Sequence, residues 1–167
     1  MGEAKVGNEF IKHEFDEAIA IQQSIVEAET TLATKHPIGS ARTAIKASLA
    51  DDETFLSQLR TLGREHKATG EVEDVAGGLK ELMETTLETA TTEGADSDFY
   101  EAHAVLLNLK RKQMDSAGGM LAIARKKDDA ELRKASTAFQ KAQKSSSEAL
   151  TDELASYAAK IATKASA

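Results

Sequence analysis

Cysteine is absent from this 167-residue chain, which removes disulfides, thiolate metal sites and cysteine nucleophiles. Tryptophan is also absent, aromatic residues make up only 4% of the chain, and the single proline is Pro37. No β-branched run suggests a strand. No stretch approaches the roughly 20 consecutive apolar residues of a membrane span. The opening residues MGEAKVGNEF hold neither the apolar core of a signal peptide nor the Ser or Thr of a myristoylation pattern. These absences set the expectation of a soluble, cytoplasmic protein with no membrane association.

What is present favours helix almost everywhere. The chain is 41% hydrophobic, much of it Ala, with Glu, Lys and Leu filling the remainder. Its length suits one domain, residues 1–167, with enough core to fold alone. The net charge of −7 argues against a nucleic-acid partner. Charge is unevenly spread: residues 110–144 hold ten Lys and Arg against four Asp and Glu. Without interleaved aromatics to stack on bases, that run reads as the solvated face of two helices.

Four long helices and one short one can be placed. The first runs from about Asn8 to Ala33 and stops at KHPIGS, where Pro37 and Gly39 break the pattern. The second opens at Ser40 as N-cap and runs to about His66. An irregular Gly-containing link, KATGEVEDVAGG, leads to a short helix from Leu79 to about Thr92. Asp96 and Ser97 then cap a long helix ending near Lys127, and Asp128 and Asp129 cap the last, which reaches about Lys164. Segments of this length joined by short connections pack as an all-α, antiparallel four-helix bundle, with the short helix inserted between helices 2 and 3.

At about 100° per residue, each long helix carries polar residues within its apolar stripe. These are Gln22 and Glu29 on the first, Asp52, Glu53 and Arg60 on the second, His103, Lys110 and Gln113 on the third, and Glu153 on the fourth. Buried charges need partners. Antiparallel folding predicts Gln22 beside Asp52 and Glu53, His103 beside Asp152 and Glu153, and Lys110 beside Ser145 and Ser146. The Glu-x-x-His pairs of a di-iron carboxylate site are missing, since Leu56 follows Glu53 at that spacing and Ser156 follows Glu153. Glu101 and His103 point to opposite sides of their helix, so "EAH" is no chelating pair. His13 and Glu17 share a face, which is expected to be solvent-facing.

The order HEFDEAIAIQQSIVEAE, LADDETFLSQLRTLGREH, a Gly link and DFYEAHAVLLNLKRKQMDSA resembles the ferritin-like helical proteins of the stress-associated YciE/YciF type, over most of the chain. The resemblance implies a ferritin-like bundle, often dimeric. Carried over residue by residue, it leaves Glu29, Glu53 and His103 as the only inward metal ligands.

Three functional readings follow. The first is a non-enzymatic structural or interaction bundle without catalytic residues or cofactor. It would be a homodimer through helical faces, with Gly118 and Gly119 letting a neighbouring helix approach closely. The second is an iron- or manganese-binding protein or oxidoreductase using Glu29, Glu53 and His103. The third is a small-molecule pocket lined by Gln22, Lys110 and Gln113, against the simpler expectation that Lys110 snorkels to the surface.

Overall fold

The computed structural model describes residues 5–165, and these are all-helical, with no strand among them. Five α-helices follow in order: α1 (Gly7–Lys35), α2 (Gly39–Gly63), α3 (Leu79–Glu93), α4 (Asp96–Lys127) and α5 (Ala130–Ala162). A 3-10 turn, Arg64–His66, ends α2. Among the described residues no helix is long and apolar enough to cross a membrane.

The helix ends differ from expectation in their chemistry. Asp129 does cap α5, accepting from the Leu132 amide at 3.0 Å. Ser40 does not cap α2, because the helix already begins at Gly39 after an extended Ile38. Asp96 likewise lies inside the first turn of α4, where its negative charge suits the helix dipole. Asp128 ends α4 in the left-handed conformation (φ 56°), which Asp tolerates better than most side chains.

The inner seam of each long helix repeats every seven residues, as in supercoiled packing. Phe15, Gln22, Glu29 and His36 face inward from α1 and its C-terminal cap, and Ile45, Asp52 and Leu59 from α2. His103, Lys110, Ala117 and Ala124 do so from α4, and Ser136, Gln143, Leu150 and Tyr157 from α5. Apolar members gather in two clusters. One joins Ile25, Leu32, Ile45, Met83, Leu106 and Tyr157. The other joins Phe15, Leu59, Ala117, Phe139 and the Phe55 ring, which stacks on Phe139 at 3.9 Å between centroids. Between the two lies a buried polar layer.

Helix α1 packs on α2 and α4, and α5 packs on α4 and α2. The connection after α2 is pinned to α1. Asp16 accepts from the backbone amides of Thr69 at 2.7 Å and Gly70 at 3.0 Å. Gly70 has φ +87°, and a Cβ there would lie 2.6 Å from Ile19 Cγ2. Only glycine fits that approach without displacement. Helix α3 then covers α4 and part of α1.

Within the chain, no helix backbone approaches the Gly118–Gly119 pair closely. A Cβ on Gly118 would meet only Gln140 Nε2 at an ordinary 3.5 Å, and one on exposed Gly119 would meet nothing within 4 Å.

Candidate functional site

The polar layer is organised around the Asp52 carboxylate, which is fully buried. Its Oδ1 accepts from Gln22 Nε2 at 3.0 Å and from Gln143 Nε2 at 2.8 Å. Its Oδ2 accepts from Lys110 Nζ at 2.7 Å and Ser48 Oγ at 3.2 Å. The four donors come from α1, α5, α4 and α2 respectively, so every long helix contributes one. Lys110 also donates to Ser48 Oγ at 2.6 Å, and Gln113 donates to Gln22 Oε1 at 3.0 Å and to the Ala18 carbonyl at 2.8 Å.

Burial alone would raise the Asp52 carboxyl. The neighbouring Glu29 carboxyl, Lys110 and Gln22 outweigh it and hold Asp52 below its ordinary value. Glu29 goes the other way. Burial first, and then the adjacent Asp52 carboxylate, push it well above the ordinary range, with Lys110 only partly opposing. Glu29 lies 3.7 Å from Lys110 Nζ, and neither of its oxygens makes a hydrogen bond. Lys110 thus pairs with the buried Asp52 carboxylate, which is how an interior tolerates charge.

A second buried polar pair lies toward the α1–α2 turn. The Ile38 amide donates to His36 Nδ1 at 3.1 Å, so His36 carries its proton on Nε2 and donates to His103 Nδ1 at 3.1 Å. His103 in turn donates from Nε2 to the Leu150 carbonyl at 2.9 Å. Both imidazoles are neutral in this chain, and it runs in one direction. Burial, reinforced by His103 and Arg42, lowers the His36 pKa to about 4, with Asp96 opposing. Burial likewise lowers His103, against the Leu150 carbonyl and Glu153.

Beside this pair, Tyr157 donates to Asp96 Oδ1 at 2.8 Å. Burial and Asp96 raise the Tyr157 phenol. Asp96 also pairs with Lys164, and it is held below its ordinary value by Lys164 and then Tyr157.

Several expectations need correction. Glu53 is exposed, because it lies one residue, or about 100°, around α2 from Asp52. His103 is satisfied by His36 and a carbonyl, not by Asp152 or Glu153; Asp152 is exposed, and Glu153 instead accepts from Ser40. Lys110 does not snorkel, and its partners are Asp52 and Ser48, not Ser145 and Ser146. Arg60 is exposed rather than inward. Gln22 does meet Asp52, and Glu101 does point outward.

The three candidate ligands are not brought together. Glu29 sits against Lys110, seven residues and about 10 Å along α4 from His103. With both His103 nitrogens engaged and Glu53 outside, the residues present do not fit an iron or manganese centre. Lys110 is fully buried, and its ammonium is directed to Asp52 and Ser48. Comparison of the chain with protein-family models, curated proteins and solved structures finds no match.

Proposed function

We propose that the protein is a non-enzymatic structural or interaction bundle of ferritin-like topology, in which a side-chain cation, Lys110, serves the polar core. One observation carries this reading: Lys110 Nζ lies 2.7 Å from Asp52 Oδ2 and 3.7 Å from Glu29, inside the carboxylates that a metal would need. A resident ammonium supplies the counter-charge to Asp52.

The cross-contacts support an antiparallel four-helix arrangement. Gly63 lies against Phe15 while Asp52 meets Gln22, so α1 and α2 run in opposite senses. Gln140 meets Gly118 while Leu150 meets His103, which does the same for α4 and α5. Asp52 meets Gln143 while Ser40 meets Glu153, which sets α2 against α5. Residues 64–95 then form the single long crossover expected of a ferritin-like bundle, with α3 within it. The reading includes a homodimer through helical faces, a cytoplasmic and stress-associated setting, and no nucleic-acid partner. The net charge of −7 supports the last of these.

The test is elemental analysis of protein purified from iron- and manganese-supplemented cells, with melting followed with and without chelator. Metal-free protein whose melting ignores chelator is expected. Stoichiometric metal, or chelator-sensitive melting, would overturn the reading.

A further inference from the structure

A run of unpaired positive charge lies along the outer side of α4 and α5. Arg111, Arg125 and Lys126 on α4, and Arg133, Lys141 and Lys144 on α5, are exposed, and among the described residues none of them forms an ion pair. Between Arg111 and Lys127 the one carboxylate is Asp115, and Leu132 to Ser147 hold none. Helical spacing keeps Arg111, Gly118, Ala122 and Arg125 on one side of α4, and Arg133, Gln140 and Lys144 on one side of α5. Gly118 lies against Gln140, so Arg125 stands level with Arg133, and Arg111 near Lys144. The surface between these cations is low, since Ala122 is exposed and a Cβ on Gly119 would meet nothing within 4 Å. Like charges held side by side favour an anionic partner. Phe139, the one aromatic residue in the stretch, is buried, so this face has nothing on which bases could stack.

The chain itself carries an anionic helix of matching length. Helix α3 has four glutamates and one cation, Lys80, which Glu84 engages at 2.9 Å. Glu81 and Glu88, seven residues apart, share its solvent face and form no ion pair among the described residues. Leu82, beside Glu81, is 45% exposed. At 1.5 Å per residue α3 is about 22 Å long, and Arg111 to Arg125 span about 21 Å. Within one copy α3 and α5 both pack on α4 and not on each other, so α3 does not cover the basic face. Helix α3 clusters with Phe99, Ala102 and Leu106 in the first half of α4, whereas the cations occupy the second half. An antiparallel pairing of two α4 helices therefore sets each α3 against the basic face of the other copy, and one two-fold axis satisfies both contacts.

We propose that two copies of this chain associate about a two-fold axis, with α3 of each lying along the α4–α5 basic face of the other. Glu81 and Glu88 then sit among the cations, and Leu82 rests on Gly119 and Ala122. The contact deepens the proposed homodimer and rests on that reading. The experiment is sedimentation velocity of the full chain over a concentration series at low and physiological salt. A monomer–dimer equilibrium that weakens with salt is expected. Arg125→Glu/Lys144→Glu and Glu81→Lys/Glu88→Lys should each weaken it about a hundredfold or more. An equimolar mixture of these two variants should restore it, and Lys46→Glu on α2 should change nothing. A dimer that ignores both reversals would overturn this contact and leave the homodimer standing. A chain that stays monomeric at every concentration would overturn both, whatever its metal content. Duplex DNA or anionic lipid vesicles held by the basic face in place of a second copy would also overturn the proposal.

Discussion

Replacing His36 with Gln should reduce the acid sensitivity of this fold. His36 and His103 are hydrogen-bonded as neutral rings, with every nitrogen assigned by its neighbours. A proton added to His103 Nδ1 would face the N–H of His36. Turning His36 over to accept it would then set its Nδ1–H against the Ile38 amide. The folded pKa of His36 is about 4 against an ordinary 6.5, so the unfolded chain takes up the proton first as pH falls. Stability from this group is complete above pH 6.5 and is lost progressively toward pH 4.

At about 1.4 kcal/mol per pKa unit, the loss is roughly 3 kcal/mol, and lowered His103 adds to it in the same direction. Glu29, raised in the folded state, acts oppositely and favours folding as pH falls. Comparing wild type with His36→Gln cancels that shared contribution. Urea unfolding followed by circular dichroism from pH 7.5 to 4 gives both curves. The wild-type advantage should shrink by about 3 kcal/mol across the range. Parallel curves would refute the neutral-pair assignment.

Other substitutions have equally defined outcomes. Gly119→Ala adds a methyl into open space within a helix and should raise stability by about 1 kcal/mol, seen as an increase of about 2–4 °C in Tm. Gly70→Ala forces a Cβ into Ile19 at φ +87° and should cost about 2 kcal/mol or more in urea unfolding. Asp16→Ala leaves the Thr69 and Gly70 amides without their acceptor, and hydrogen exchange at those two positions should accelerate sharply while core amides of α4 stay protected.

The sequence displays its helices because Ala, Leu, Glu and Lys are strong formers and the breaks fall at Pro37, Gly94 and Asp128–Asp129. The inner seam was legible in part. Gln22, Asp52, His103 and Lys110 sit on seven-residue spacings whose members are fully buried. The same spacing through Leu150 and Tyr157 also contains Ser136 and Gln143, and through Phe15 and Gln22 it reaches His36. Gln143 and His36 were missed because a polar residue in a stripe, or a His beside Pro37, carries no local mark of burial. Partner choice was less legible still. Lys110 reaches diagonally to α2, a contact fixed by three-dimensional order and not by folding adjacent helices about a turn.

The measurement that bears most directly on the core is the stability of Lys110→Met, alone and combined with Asp52→Leu. Lys110→Met leaves the Asp52 carboxylate buried without its counter-charge and should cost about 3–5 kcal/mol. Adding Asp52→Leu removes the stranded charge, so the double variant should recover much of that loss. If Lys110→Met is as stable as wild type, or the two losses simply add, the ammonium is not what balances the core.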